Sequence, residues 1–261
     1  MTGKLLLRGM LAGIVAGLLA FGFAKTFGEP QVDQAISFEE KINADKAAAH
    51  EHAHAVGEVH EHEHEHGLVS RSTQAGIGLL TGVVVYGAAV GGLFALVFAY
   101  AYGRIGKLGA RPLAAWLALA AFVALTLVPY LKYPANPPSI GDPDTIRYRT
   151  GLYFLMIAIS IAVTAFAFTV RRYAAARTGA WNGTIIAGGV FIAVIAAVQL
   201  SLPELNEVPE AFPAVLLWKF RIAAIGMQVI LWTAIGVLFG WLAERLERTQ
   251  TIKRLIGKPA Y

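Results

Sequence analysis

The sequence predicts an all-α integral membrane protein with six transmembrane helices and both termini in the cytoplasm. The first reason is composition: 56% of the 261 residues are hydrophobic and only 15% are charged, whereas soluble domains carry about 25% charged residues. The second reason is pattern. Six apolar runs each exceed the ~18 residues that distinguish a membrane span from a buried soluble helix, and none shows the alternation of a β-barrel strand.

The six runs divide the chain, which we treat as a single membrane domain. They cover residues 5–27, 75–102, 112–131, 151–170, 181–202 and 215–241. Residues 28–74 are then a His-rich periplasmic loop, expected to be disordered, and residues 242–261 are a cytoplasmic tail. The chain has no cysteine, which excludes disulfides, thiolate metal sites and thiol nucleophiles.

Charge alternates between the runs. Thirteen of the 22 Lys and Arg residues lie in the two termini and in the loops 103–111 and 171–180, whereas 15 of the 17 acidic residues lie in the other loops. Basic residues accumulate on the cytoplasmic side of membrane proteins. The net charge of +5 therefore reflects orientation in a lipid bilayer, and we expect no nucleic-acid partner.

The first run has two interpretations. Its basic start and the small residues Gly22 and Ala24 are compatible with a cleaved signal peptide. However, Gly9, Gly13 and Gly17 form a tandem GxxxG pattern, which suits close helix contact in lipid. We favour a retained span that packs against the second run, which is also rich in glycine.

All seven histidines lie within 17 residues of the loop between the first two runs. They are His50, His52, His54, His60, His62, His64 and His66, interleaved with glutamates. An extended chain places four of them on one side, and a helix pairs them at i, i+4. Either conformation offers chelation, and imidazole suits Co²⁺, Ni²⁺, Zn²⁺ and copper.

We expect this segment to capture metal weakly and with rapid exchange, because it has no apolar period and binding must offset its ordering entropy. No tightly bound cofactor is expected. Capture should fade as the pH falls through about 6.5, because a protonated imidazole does not ligate. The alternative is a solvated low-complexity loop whose histidines are incidental.

Two further segments stand out between the runs. Residues 27–30, Phe-Gly-Glu-Pro, are expected to close the first span with a turn. Residues 131–146 contain four prolines and no regular pattern, which predicts a stiff, shaped loop at the outer surface. Asn136, Asp142 and Asp144 of this loop offer oxygen ligands.

The sequences LLRGMLAG at residues 6–13, FGEP at 27–30 and LVPYLKYPANPPSIGDPDTI at 127–146 resemble the CbtA family of proposed cobalt transporter subunits. The resemblance extends over nearly the whole chain. It implies a multi-pass protein of the bacterial inner membrane that takes up cobalt for cobalamin synthesis. It also implies a small single-span His-bearing partner, CbtB. Nothing in the sequence selects cobalt over nickel.

The resemblance also implies a set of patterned positions at the outer face: Glu29, Pro30, Lys132, Asn136, Asp142 and Asp144. In one interpretation these residues form an entrance that receives Co²⁺ from the histidines through transient oxygen ligands. In the other, the prolines shape the loop and the acids pair with nearby bases. Those bases are Lys25, Lys132, Arg147, Arg149, Lys219 and Arg221.

The apolar runs themselves contain no Asp, Glu or His, although intramembrane ionisable groups are the usual marks of ion pathways. No P-loop, HExxH or nucleophile elbow occurs either, so we expect no enzyme. The leading hypothesis is a membrane subunit for uptake of a divalent transition metal, cobalt by the resemblance. The alternatives are a non-conducting metal-binding or assembly protein and, resting only on the outer basic residues, an anion carrier.

Overall fold

The computed structural model describes residues 2–53, 70–106 and 108–256, with side chains described for 2–45, 70–106 and 108–249. This part of the chain contains helices and no strand. The helices are α1 (Thr2–Phe23), α2 (Glu29–Ala53), α3 (Arg71–Thr73), α4 (Leu79–Ala101), α5 (Ala110–Phe122), α6 (Val128–Lys132), α7 (Ile146–Ser201) and α8 (Ala214–Ile256). Five helical stretches among the described residues are long and apolar enough to cross a membrane, which confirms the all-α prediction.

Three π-helical turns join neighbouring helices. Ala24–Gly28 links α1 to α2, Gln74–Gly78 links α3 to α4, and Val123–Leu127 links α5 to α6. The first and third each end two residues before a proline, Pro30 and Pro129. Because a proline lacks the N–H and clashes with the carbonyl four residues earlier, the wider turn lets the helix continue past it.

The expected turn at residues 27–30 is therefore wrong: α1 runs through a π-turn into α2. The expectation of a disordered loop over residues 28–74 also fails for its first part, because Glu29–Ala53 is helical. Residues 39–49 consist largely of Glu, Lys and Ala, which favour helix. This helix was not predicted from the sequence, because its many charged residues leave only a short apolar face.

Four helices, α1, α4, α5 and α8, build the main core. Phe94 and Phe98 of α4 pack edge-on against Phe239 of α8, with ring centroids 5.4 and 5.0 Å apart. Helix α8 contacts both α1 and α5, so it joins the two halves of the bundle.

The closest helix contact lies between α1 and α4. Its residues, which we call the glycine seam, are Gly9, Gly13 and Gly17 of α1 with Gly87 and Gly91 of α4. A Cβ atom on Gly13 would lie 2.7 Å from the carbonyl carbon of Gly87. The two backbones are thus in direct contact, as the GxxxG pattern predicts.

Helix α7 folds back on itself at Gly179, whose φ of 86° and ψ of 162° are not helical. Arg171 Nε donates to Thr184 Oγ1 over 3.0 Å, although 13 residues of straight helix would separate them by about 20 Å. The two arms pack on each other and on the third π-turn. Only 17% of the most apolar stretch of α7 is buried, against 33% or more for the other four candidates, so this hairpin lies at the periphery.

Two irregular segments cover one end of the bundle, and we call residues 133–145 and 202–213 together the cap. Pro143–Thr145 forms a single 3-10 turn in it, and the rest has the irregular backbone expected of a proline-rich loop. Helix α2 lies against the cap: Phe38 packs edge-on against Phe212 at 5.2 Å, and Ser139 Oγ donates to the carbonyl of Ala35 over 2.9 Å. At the opposite, basic end, Arg111 pairs with Glu244 at 2.6 Å.

Candidate functional site

The histidine segment falls outside what the structure describes. Side chains of residues 46–69 are not described, and these include His50, His52, His54, His60, His62, His64 and His66. Metal binding by these residues stays a prediction. The structure does describe the residues on either side: α2, whose C-terminal end leads into the segment, and Ser70, which follows it.

Arg71, which lies just after the histidine segment, pairs with the start of α2. Its Nη2 lies 2.5 Å from Glu29 Oε2 and 2.9 Å from Asp33 Oδ1, and its Nε donates to the same Asp33 oxygen over 3.1 Å. The Glu29 side chain is only 12% exposed. Charge-assisted bonds of this kind are about twice as strong as neutral ones. We call Glu29, Asp33 and Arg71 the clamp, because they join the start of α2 to α3.

Asn136 is held by an arginine of α8. Arg221 Nη2 donates to Asn136 Oδ1 over 2.9 Å, and Arg221 Nε donates to the carbonyl of Ala135 over 3.4 Å. The hydroxyl of Tyr130 in turn donates to the carbonyl of Arg221 over 2.6 Å. The proline-rich part of the cap is thereby fixed to α8.

Asp142 organises the 3-10 turn. Its Oδ1 accepts a hydrogen bond from the backbone N–H of Asp144 over 2.9 Å, and its carbonyl accepts one from the hydroxyl of Thr145 over 3.0 Å. This is the bonding of an N-cap residue. Both Asp142 and Asp144 are exposed, so their carboxylates remain open to solvent.

Glu207 fastens the second cap segment to the first. Its carboxylate accepts hydrogen bonds from Thr145 Oγ1 at 2.7 Å and from the backbone N–H of Asp142 at 2.9 Å, and it pairs with Arg149 Nε at 3.3 Å. The Thr145 bond, then the Asp142 bond and the Arg149 charge, lower the pKa of Glu207 below its ordinary value of 4.5. The carboxylate is therefore charged at neutral pH.

The position of Arg149 depends on Gly141. Gly141 has a φ of +121°, and a Cβ atom there would lie 2.6 Å from Arg149 Cζ. Arg149 Nη2 also donates to the carbonyl of Asp142 over 3.2 Å. The guanidinium thus lies flat against a loop backbone that only glycine leaves open.

These contacts enclose a cavity of about 390 Å³, which we call the cap cavity. Its polar lining residues are Tyr133, Asn136, Arg149, Thr150, Tyr153, Glu207 and Arg221. Two guanidinium groups thus face one carboxylate. Tyr133 is buried, which raises the pKa of its hydroxyl, and it donates to the carbonyl of Pro203 over 3.0 Å.

The structure therefore separates the residues expected at the entrance. Asn136 lines the cap cavity, whereas Glu29 belongs to the clamp, and Lys132 ends α6 below the cap. Asp142 and Asp144 are exposed on the cap surface, outside the cavity lining. Glu29 pairs with a base, as the second interpretation anticipated, but the base is Arg71, which the sequence analysis did not consider.

Sequence analysis also missed Glu207 and Tyr133. Glu207 lies in a loop that is notable in sequence only for lacking basic residues, and its bonds join positions more than 60 residues apart. No local pattern signals such a pairing. Among the described residues, no group of three or more Asp, Glu or His side chains is placed to hold a metal ion.

Away from the cap, two hydrogen bonds of the helices join neutral polar groups. Trp232 Nε1 donates to Thr126 Oγ1 in the third π-turn over 3.2 Å, and Gln199 Nε2 donates to the carbonyl of Val128 over 3.0 Å. Ser160 is fully buried and its hydroxyl has no partner among the described residues. The two hydrogen bonds hold the bend at the third π-turn, and none of these groups is charged.

Comparison with known proteins identifies the family. The CbtA family, described as "Probable cobalt transporter subunit (CbtA)", matches residues 2–244. No curated protein and no solved structure matches the chain. Because the family match covers nearly the whole length, the resemblance found in the sequence is confirmed, and the chain belongs to the CbtA family of probable cobalt transporter subunits.

Proposed function

We propose that the protein is the membrane subunit of an importer for cobalt or a similar divalent transition metal, and that residues 50–66 capture the ion on the periplasmic side of the membrane. The family supports transport of cobalt. The observation that carries the capture step is the concentration of all seven histidines in one segment, which is followed within five residues by Arg71 of the clamp. His66 is four residues from Ser70, hence within about 14 Å of it.

We propose six spans in a bacterial inner membrane, with the cap outside and the basic end inside. Five helices meet the length and composition of a span, and the two arms of α7 on either side of Gly179 would supply two crossings in place of one. The loops expected outside meet at the cap. At the opposite end, Arg8 bonds the carbonyl of Leu242 in α8, and Arg111 of α5 pairs with Glu244 of α8. The packing of α1 in the glycine seam supports retention of the first span.

The entrance, in this proposal, is the solvent-exposed rim of the cap. Asp142 and Asp144 present open carboxylates there, and the oxygen of Asn136 and the charge of Lys132 lie nearer the bundle. Glu29 would act through the clamp, by anchoring Arg71 just after the histidine segment, because its carboxylate is already paired with that arginine. The acids thus attract the ion to the surface without forming a closed site.

Uptake of radioactive Co²⁺ by cells tests the proposal. Cells would express the chain with a small His-bearing partner, and the variant would replace all seven histidines by Gln. The matched control would replace Glu51, Glu58, Glu61, Glu63 and Glu65 by Gln. We expect the first variant to lose most uptake at submicromolar Co²⁺ and the second to keep most of it. Absence of uptake even in the unaltered chain with its partner would refute transport.

A non-conducting metal-binding or assembly protein is the second candidate. The lack of Asp, Glu and His in the apolar runs favours it, because a divalent ion has no charged ligand along the bundle. Flux into proteoliposomes separates the two candidates. A binding protein would retain Co²⁺ affinity but release no ion into the lumen.

A partner subunit is implied by the family description, and we place its single span against the peripheral hairpin. An apolar groove of about 540 Å³ runs between α5 and the two arms of α7, lined by Trp116, Leu119, Phe168 and Phe191 among others. A photo-crosslinker at Trp116 should capture a co-expressed CbtB-like subunit. The control at Leu93, an exposed position of α4, should not; equal capture at both would refute this placement.

A further inference from the structure

The cap cavity has the wrong charge for a bare metal cation. Arg149 and Arg221 both line it, and Glu207 is the one carboxylate among its lining residues. That carboxylate is already engaged by Thr145, Asp142 and Arg149. The lining therefore carries a net positive charge, which would repel a divalent cation from the cavity.

The charge of Arg221 is not matched by a carboxylate in the described part of the chain. Its hydrogen bonds go to neutral acceptors, the side-chain oxygen of Asn136 and the carbonyl of Ala135. These bonds also fix its orientation, and Tyr130 holds its backbone. A half-buried cation without a counter-charge is unfavourable, so an anion next to it would be stabilised.

The remaining lining suits an oxyanion. Thr150 and Tyr153, whose side chains carry hydroxyl groups, also line the cavity, and guanidinium groups bind carboxylates and phosphates with two parallel hydrogen bonds. A volume of about 390 Å³ lies within the range of small-molecule sites. The three properties together define a ligand that is small, oxygen-rich and negatively charged.

We propose that the cap cavity is a binding site for a small multivalent oxyanion, a carboxylate or a phosphate, held between Arg221 and Arg149. The site lies beside the metal entrance; Asn136 borders both, but the anion is held by the two arginines. This anion site goes beyond the proposed function, because anion binding in the cap cavity does not depend on metal transport by the chain.

Calorimetric titration of the purified full-length chain in detergent at low salt tests the site, with citrate and inorganic phosphate as separate probes. Arg221→Gln removes the charge and keeps a donor at about the position of Nε, which bonds the carbonyl of Ala135. Arg147→Gln removes the same charge from an exposed arginine that does not line the cavity. We expect Arg221→Gln to weaken binding of the preferred anion at least tenfold and Arg147→Gln to weaken it less than threefold. The tighter of the two probes identifies carboxylate or phosphate chemistry.

Two outcomes would overturn the site: no binding of either anion at millimolar concentration, or an equal loss in both variants, which indicates only diffuse surface charge. If Arg221→Gln does not fold, Tyr153→Phe provides the comparison, because it removes one lining hydroxyl and leaves every charge in place. We then expect a threefold to tenfold loss of affinity, and unchanged affinity would contradict the assignment.

Discussion

The glycine seam and the cap lie in one chain but are stabilised by different interactions. In the seam, α1 and α4 approach until their backbones touch, and no charged group takes part. In the cap, segments distant in sequence are joined by Arg149, Arg221 and Glu207. The seam is therefore sensitive to added volume, whereas the cap is sensitive to charge and pH.

The largest effect is expected from one added methyl group in the seam. Gly13→Ala would place a Cβ atom 2.7 Å from the carbonyl carbon of Gly87, and a backbone neighbour cannot rotate away. We expect a loss of about 3 kcal/mol, the upper end of the cost of overpacking. Unfolding of the purified protein in mixed detergent micelles measures it.

Gly22→Ala is the matched control, because it lies on the same helix with nothing within 4 Å of the added atom. It should be neutral or stabilising by up to about 1 kcal/mol, since alanine favours helix more than glycine does. Equal destabilisation by both variants would show that the seam is not a special contact.

The next largest effect is expected from a substitution of Gly141 in the cap. Gly141→Ala adds a strained left-handed residue, which costs about 1–2 kcal/mol, and also displaces the guanidinium of Arg149. Gly103→Ala adds the strain alone, because Gly103 has a φ of +77° and nothing within 4 Å. We expect hydrogen exchange over residues 203–213 to accelerate in the first variant only. Acceleration in neither would mean that Arg149 does not hold the cap.

Acidification should loosen the cap and leave the seam unchanged. The pKa of Glu207 is lowered in the folded protein, so its bonds stabilise docking above its ordinary value of 4.5 and this contribution is lost as the pH falls through the lowered pKa. Exchange over residues 203–213, corrected for intrinsic rates, should therefore rise in acid. Glu207→Gln should abolish this dependence, and Glu204→Gln, an exposed control in the same loop, should retain it.

The seam could be predicted from sequence, whereas most of the cap could not. Glycines at i, i+4 spacing specify their own helix face, so the contact of Gly9 and Gly13 with α4 follows from local pattern. The helix over Glu29–Ala53 was missed because polar composition was taken as disorder and residues 27–30 as a turn. A π-turn before the proline, which no composition reveals, keeps that helix intact.

In the candidate site, too, some features could be predicted from the sequence and others could not. Asn136 and Asp142 stand out in sequence because prolines surround them, but their partners Arg221 and Glu207 lie 85 and 65 residues away. Residues so far apart leave no periodic signal in a single sequence. Sequence analysis could therefore name one side of each contact and the general position of the entrance, but not the positive charge of the cap cavity.

The smallest effect is expected at the basic end, where charges orient the chain in the membrane. Arg248 pairs with Glu244 at 3.4 Å, but its side chain is 73% exposed, so water screens the pair and Arg248→Ala should change stability by at most about 0.5 kcal/mol. Unfolding in the same micelles measures this. A loss as large as that of Gly13→Ala would mean that ion pairs stabilise both ends of the molecule. The different behaviour of seam and cap would then follow from the charges themselves more than from their exposure to solvent.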